Sequence, residues 1–313
     1  NEDVQGRGSD NGSTGTDNGR GEEGVPQVSE EQPTHEGEAG ADDALEDKYP
    51  ARKGDVKPSD FADVFGFKSV DATLSQHILN STYDMLMEIA KMLGISPKSI
   101  THGGTLELGV VPNSEPDSVS AVYAANGRYG TPVTKAIMEL RDGKNLSAIA
   151  HEWWHSLDHV LRYWNSGRGR ESASNATAEN FDGRPEVLKA IKGVLSAIRK
   201  SGHVDRIKGL NFSSSHIDYL KSKKELGARA FEEYIIGKLA EAGIEIEGIQ
   251  KDDWVAQPTA EEMAIIAPAF DNLFKILQEK EGKTPGTSVL YHIGEMMDED
   301  SDAKKLATEA ILQ

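Results

Sequence analysis

The sequence predicts a mainly helical α+β domain that follows a long acidic segment. Three observations support this class. Apolar residues recur at helical spacing in five stretches between residues 74 and 281. Three short strand-like stretches lie close together between the first and second of these helices. Residues 1–57 carry very few large apolar side chains, and apolar residues make up only 37% of the chain. We therefore expect a small, partly antiparallel sheet next to the helix that follows it.

The first 57 residues are rich in Gly, Ser, Asp and Glu. Such a segment buries too little apolar surface to offset the entropy of ordering, so it is predicted to be a disordered acidic linker. The glycines of "GRGEEG" have dinucleotide-loop spacing, but no strand precedes them and no helix follows. The predicted division is a linker over 1–57, a packed domain over 58–281, and a tail or further linker over 282–313. Because the chain begins with Asn1 rather than Met, we expect a fragment, a processed product or a piece of a longer polyprotein.

Composition narrows the classes of function. The net charge of −18 disfavours direct binding to nucleic acid or an anionic membrane, since both need a basic surface. With no cysteine, any metal must be held by His, Asp and Glu. No apolar run approaches the 18 residues of a membrane span.

The packed elements follow in order. Aromatic residues first cluster at 61–67, and a helix is predicted over Leu74–Leu93, ending at Gly94. The strands are "TLELGVV", "SAVYAA" and "AIMEL", separated by turn-rich stretches. Four more helices are predicted, with Pro185 in a first turn and Thr259 to Glu262 as a capping box. These helices are Leu146–Trp164, Pro185–Lys200, Lys223–Ala242 and Thr259–Glu281.

The helix containing "AIAHEWWHSLDH" carries two different faces. Trp153 belongs to an apolar stripe that also includes Ile149 and Leu157. His151 and His155 are four residues apart on another stripe, so both imidazoles can reach one point. Two imidazole nitrogens suit a zinc ion, whereas a helix with hydrogen-bonded core histidines is the simpler alternative.

Glu152 follows the first histidine directly, which completes the His-Glu-x-x-His pattern of zinc peptidases. At that position a carboxylate can accept a proton from a water activated by the metal without binding the metal itself. The "AIMEL" strand lies just upstream and can supply a sheet edge that holds an extended peptide.

The residues alone leave the third ligand open. The extended metzincin pattern requires histidine where Leu161 stands. Asp158 is better placed to orient His155 or to pair with a basic group. The helix "KKELGARAFEEYI" offers further carboxylates and an arginine, Arg229, that can pair with them. These carboxylates are Glu225, Glu232 and Glu233.

Three stretches, "FGFKSV", "AIAHEWWHSLDH" and "ELGARAFEEYI", resemble in this order the zincin-type large polyvalent protein-associated domain of phages and mobile elements. The resemblance spans about 58–281. It implies His151, His155 and Glu225 as zinc ligands and Glu152 as the general base. The chain departs from the family at Trp154, where a small residue is usual, and at "KAIMEL", where a Gly-rich strand is usual. Trp154 is therefore expected to line and narrow the substrate cleft.

The leading hypothesis is a zinc-dependent peptidase acting on a protein or peptide, including its own flanking linkers. Tyr219 is the preferred oxyanion donor over His216 and Tyr234, because "SSSHIDYL" is predicted to be a loop near the Glu225 helix. The alternative is a structural or anti-defence module with a closed zinc site, in which Asp158 is a fourth ligand. A third hypothesis is a DNA mimic acting through its charge. The resemblance implies a bacterial cytoplasm or a phage virion as the location.

Overall fold

The computed structural model describes residues 49–102, 104–112, 115, 120–126, 135–166, 172–181, 184–249 and 254–278. Within them, eight α-helices and a four-stranded sheet confirm the predicted mainly helical α+β class. No helix among the described residues is long and apolar enough to cross a bilayer. The elements are α1 (Pro58–Phe65), β1 (Ser69–Val70), α2 (Gln76–Met92), β2 (Leu106–Val110), β3 (Ala121–Asn126), β4 (Lys135–Leu140), α3 (Ala148–Ser166), α4 (Pro185–Lys200), α5 (His203–Lys208), α6 (Ser214–Leu220), α7 (Lys223–Glu241) and α8 (Ala260–Gln278).

The sheet has the order β1-β2-β4-β3. Strands β1, β2 and β4 run parallel, and β3 pairs antiparallel with β4, as in the pair Tyr123 and Met138. The predicted partly antiparallel sheet is therefore confirmed. The expectation that "AIMEL" forms the edge beside the site is wrong, because β4 is paired on both sides and β3 is the edge strand. Strand β4 lies between β2 and β3 although it follows both in sequence, an order that spacing alone does not reveal.

Local signals account for most helix boundaries. Ser75 caps α2 by accepting a hydrogen bond from the Ile78 amide, and Gly94 ends it with a φ of +64°. Pro185 is the first residue of α4. The predicted capping box of α8 is present. The Glu262 carboxylate accepts from the Thr259 amide at 2.9 Å, and the Thr259 hydroxyl accepts from the Glu262 amide at 3.3 Å.

Helix α1 was not predicted, since its sequence gave only an aromatic cluster. Two shorter helices also differ from the prediction or were not predicted. The "SSSHIDYL" stretch is not a loop: Ser214–Leu220 forms α6, capped by Ser213, whose hydroxyl accepts from the His216 amide. Helix α5 covers His203–Lys208. Both are shorter than two turns, so they show too little apolar periodicity to be recognised in the sequence.

Packed structure begins before residue 58. Tyr49 and Val56 are buried in the core, and the Tyr83 hydroxyl donates to the Pro50 carbonyl at 3.2 Å. The last residues of the predicted linker therefore pack against α2. The rest of that linker, residues 1–48, and the predicted tail over 282–313 lie outside the described residues.

The two adjacent tryptophans of α3 are both buried. Trp153 lies on the apolar stripe as predicted, and its indole N–H donates to the Ile100 carbonyl at 3.0 Å. Trp154 packs against Phe231 and Phe270 and is only 1% exposed. The expectation that Trp154 narrows the cleft is wrong, because its ring points into the interface between α3, α7 and α8.

Gly227 in α7 makes room for that ring. A Cβ at position 227 would lie 2.7 Å from the indole nitrogen of Trp154. We expect Gly227→Ala to destabilise the fold, because overpacking costs about 1–3 kcal/mol and outweighs the helix propensity gain of about 1 kcal/mol. In a Trp154→Phe background the same change should become neutral or stabilising. Denaturant unfolding of the native chain, the two single variants and the double variant measures these changes in stability. If Gly227→Ala lowered the free energy of unfolding equally in both backgrounds, the packing account would be wrong.

His102 should make stability depend on pH. It is 2% exposed, and burial lowers its pKa to about 3, so the folded chain keeps it neutral. In the unfolded chain His102 takes up a proton near pH 6.5. Above that pH its burial does not lower the free energy of unfolding, and as the pH falls from 6.5 towards 3 the free energy of unfolding decreases. The loss approaches about 1.4 kcal/mol per pH unit.

The matched variant is His102→Asn, since asparagine tolerates the left-handed backbone that His102 adopts at a φ of +52° and does not titrate. Unfolding free energies between pH 7 and 5, measured with a chelator present, should fall more steeply for the native chain than for the variant. Parallel curves would show that His102 is not the buried neutral group described.

Candidate metal centre

His151, His155 and Glu225 meet at the interface of α3 and α7. Glu225 Oε2 lies 3.5 Å from His151 Nε2, and Glu225 Oε1 lies 3.3 Å from His155 Nε2. Each residue offers one ligand atom, and these three atoms lie within 4.8 Å of one another. The side chains are 8–14% exposed, so the group is largely shielded from water.

Helix geometry and capping bring these atoms together. His151 and His155 are one turn apart on α3, with ring centroids 4.9 Å apart. Glu225 lies in the first turn of α7, where Ser222 caps the helix and the positive end of the helix dipole favours a carboxylate. The close approach of α3 and α7 at Trp154 and Gly227 sets the distance between the two helices.

The electrostatics of the group are those of a cation site. Burial alone would lower the pKa of His151, but Glu225 and Glu232 outweigh it and raise that pKa to about 10. Burial opposes ionisation of Glu225, yet His151 and His155 hold its pKa well below the usual range. A proton on His151 thus supplies the positive charge that the two carboxylates require.

The donor set fits a divalent metal ion. Glu225 Oε2 is buried and makes no hydrogen bond, since its contacts with His151 and Arg229 measure 3.5 and 3.6 Å. Two imidazole nitrogens and one carboxylate oxygen are ligands that zinc accepts. A buried oxygen without a hydrogen bond beside two histidine nitrogens is satisfied by a bound cation. His151, His155 and Glu225 can therefore hold a metal ion.

Glu232 lies behind His151 rather than beside both histidines. Its carboxylate Oε2 is 3.4 Å from His151 Nδ1 and accepts a hydrogen bond from Gln257 at 2.8 Å, while Oε1 accepts from Ser147 at 2.5 Å. A carboxylate at the far nitrogen of a ligating histidine fixes the ring orientation and the tautomer. The structure thus gives this alternative third ligand a supporting position.

Asp158, the other alternative ligand, points away from the group. It is 2% exposed, and its Oδ1 accepts a hydrogen bond from the Ser174 amide at 2.7 Å. No hydrogen bond joins it to His155 within the described residues. It anchors the short 3₁₀ turn at Ala173–Asn175 against α3.

Glu152 lines the same cleft as the two histidines and is 7% exposed. Burial raises the pKa of Glu152, although His151 and His155 oppose the shift. Glu152 is therefore a carboxyl group that lies in the cleft next to the two histidines and holds a proton more readily than an exposed glutamate.

The three candidate oxyanion donors differ in position. Tyr219 and His216 line the cleft. Tyr219 is 50% exposed, and its partial burial together with the nearby Glu225 carboxylate raises the pKa of the phenol, so the hydroxyl keeps its proton. Tyr234 is not a donor to the site, because its hydroxyl donates to Asp271 at 2.7 Å and its ring packs on Phe270.

The cleft above the three ligands has a volume of about 770 Å³. One part of its lining comes from β3 and the residue before it, 120–123, and another from α6 and α7. Tyr123 of β3 stacks on His155 with ring centroids 6.5 Å apart, and its hydroxyl lies 3.1 Å from His159 Nδ1. Burial lowers the pKa of His159 to about 4, so this pair is neutral.

Sequence reasoning missed four residues of the site: Ser147, Tyr123, Trp254 and Gln257. Gln257 and Trp254 come from the segment between α7 and α8, which carries no motif. Ser147 directly precedes α3. Only Tyr123 gave a signal, since it lies at the centre of a predicted strand.

Residues 212–281 match the family model of large polyvalent protein-associated domain 1. The match supports the expected relation to polyvalent-protein-associated domains over this stretch. It includes Glu225, Arg229 and Glu232, and it excludes α3 with both histidines. Neither the curated proteins nor the solved structures contain a match to the chain.

Proposed function

We propose that this chain is a zinc-dependent peptidase domain. The observation that carries the proposal is the group of His151, His155 and Glu225 at a cleft that also holds the buried carboxyl of Glu152. Two histidines, one further protein ligand and a neighbouring carboxyl group are the parts of a hydrolytic zinc site.

A zinc ion held there supplies Lewis acidity toward a water molecule and a carbonyl oxygen. Glu152 accepts the proton that the water loses as its oxygen attacks the peptide carbonyl carbon. Glu152 then delivers that proton to the amine nitrogen as the C–N bond breaks, which leaves a carboxylic acid and an amine. Tyr219 donates a hydrogen bond to the oxygen that gains negative charge. Glu232 holds the His151 ring through Nδ1.

The open edge of β3 suits an extended peptide. Among the described strands β3 pairs only with β4, and its first residues line the cleft. An extended backbone can add to such an edge through main-chain hydrogen bonds, which place its carbonyl groups at regular spacing. The proposed substrate is therefore an extended segment of a protein or peptide, and flanking linkers of the same chain belong to this class.

The alternative of a closed structural zinc site receives less support. A structural site needs four protein ligands, whereas the metal-competent group in the described part of the chain has three members. Asp158, the expected fourth ligand, is held by the Ser174 amide. The cleft above the group leaves space for a substrate.

The similarity of residues 212–281 to a polyvalent-protein domain supports a wider proposal. We assign the whole packed region to the zincin-type members of that group. We place its activity in a multi-domain protein of a phage or mobile element, acting in the bacterial cytoplasm or carried in a virion.

The direct test is a hydrolysis assay on a mixture of unstructured peptides, followed by mass spectrometry. We expect cleavage by the zinc-loaded chain, loss of cleavage with a chelator, and recovery when zinc is added back. The intact mass of the chain, followed in parallel, reports cleavage of its own linkers. A zinc-loaded, folded chain that cleaves no peptide at any site would overturn the proposal.

A further inference from the structure

Arg229 lies in the same cleft, one helical turn after Glu225 on α7. Its side chain is 12% exposed, and its guanidinium carbon lies 4.2 Å from the centre of the Trp254 ring. The indole thus covers one face of the guanidinium and fixes its plane. The guanidinium of Arg229 is therefore held in a fixed position at the cleft before a ligand binds.

The hydrogen-bonding capacity of Arg229 is unused in the described residues. Its one ion pair joins Nη2 to Glu225 Oε2 at 3.6 Å, which is beyond hydrogen-bonding distance. Its Nε is buried and has no hydrogen-bond partner. A guanidinium carries five N–H groups in a fork that matches the two oxygens of a carboxylate, and leaving a buried donor unpaired is costly. These two observations favour a ligand that presents oxygen acceptors to the guanidinium.

Charge balance favours an anionic ligand. When a metal replaces the proton on His151, the charged lining of the cleft consists of Arg229 and three carboxyl groups, from Glu152, Glu225 and Glu232. With a divalent metal bound, even full ionisation of the carboxyl groups gives a neutral lining. Without Arg229 the same fully ionised lining would carry one net negative charge and would repel an anion. Arg229 is therefore the group that allows a carboxylate to enter this acidic protein beside the metal.

We infer that Arg229, stacked on Trp254, is a substrate subsite that binds a carboxylate group. The inference rests on the proposed peptidase function and adds a substrate class to it. The carboxylate comes from the C-terminus of a peptide or from an acidic side chain, and both present the same pair of oxygens to the guanidinium.

The test measures equilibrium binding to the zinc-loaded Glu152→Gln chain, so hydrolysis does not interfere. One pair of probes is acetyl-tetra-alanine with a free carboxylate and the same peptide as its amide. The other pair is acetyl-Ala-Glu-Ala-Ala-amide and its Gln counterpart. We expect at least one carboxylate probe to bind about tenfold or more tightly than its neutral partner, because a charge-assisted hydrogen bond contributes that much. Which pair shows the difference identifies the source of the carboxylate.

Arg229 variants separate this subsite from direct binding of the carboxylate to zinc. In Arg229→Gln the preference should disappear while the zinc content stays at the level of the parent chain. Arg229→Lys keeps the charge but loses the fork, so it should retain a smaller preference. Circular dichroism verifies that both variants are folded.

A preference that survives in Arg229→Gln would overturn the inference, since the metal would then be the carboxylate site. Equal weakening of charged and neutral probes would also overturn it, because a purely structural arginine acts in that way. Failure of every carboxylate probe to bind would count against it equally. An Arg229-dependent preference without hydrolysis of any peptide by the native chain would keep the subsite and reject the peptidase proposal.

Discussion

Glu152→Gln is expected to lower peptide hydrolysis by about 10²–10⁴-fold while the chain keeps its zinc. The amide has the size of the carboxyl group but cannot accept the proton from the attacking water. Because Glu152 is not among the three grouped ligands, the metal content should stay unchanged. Parallel measurement of initial rates and of zinc per chain, by inductively coupled plasma mass spectrometry, makes this comparison.

Glu233→Gln is the matched control. Glu233 is a buried glutamate, 6% exposed, that does not line the cleft. The control should hydrolyse peptides at the native rate. If Glu152→Gln retained the native rate with zinc bound, Glu152 would have no role in proton transfer and the mechanism would be wrong.

Glu225→Gln is expected to weaken zinc binding by more than about 100-fold. Loss of a residue that hydrogen-bonds to a metal ligand lowers metal affinity by about 10–100-fold. Loss of the charge on the ligand itself must lower the affinity further. The variant also leaves His151 and His155 without the carboxylate that lies 3.3–3.5 Å from their Nε2 atoms. Competition with a chromophoric zinc chelator at fixed pH measures the affinity.

Glu232→Gln provides the internal comparison for that result. Glu232 is buried like Glu225 and lies on the same helix, but it contacts His151 through Nδ1. We expect its loss to weaken zinc binding by about 10–100-fold, less than the loss of Glu225. The reverse order of the two affinities would make Glu232 the third ligand and Glu225 the supporting residue.

The helical elements of the fold were the most predictable part. Helix α4 begins and ends at the predicted residues because Pro185 and a strong apolar stripe define it. The three predicted strands were located correctly, but β1 was not predicted and the edge was assigned to the wrong strand. Residues 135–140 alternate as any strand does, and their central place in the sheet depends on pairing with β2, which is distant in sequence.

Some residues of the candidate site were likewise predictable from the sequence, and others were not. His151, Glu152 and His155 follow from spacing on one helix. The residues alone left the carboxylates of α7 as alternatives, and only the family resemblance implied Glu225 among them. Gln257 and Trp254 were not predictable, because they reach the site from a segment without periodicity. Trp154 was misplaced because helical spacing does not show that Gly227 opens a space for its ring on the facing helix.

The central claim is that His151, His155 and Glu225 hold a zinc ion with one coordination position open to the cleft. A crystal structure of the zinc-loaded chain, with an anomalous difference map at the zinc edge, tests it most directly. We predict one strong peak about 2.0–2.1 Å from Nε2 of both histidines and bound to the Glu225 carboxylate. The fourth ligand should be a water or another small molecule. A zinc ion closed by a fourth protein side chain, or bound away from these three residues, would contradict the account.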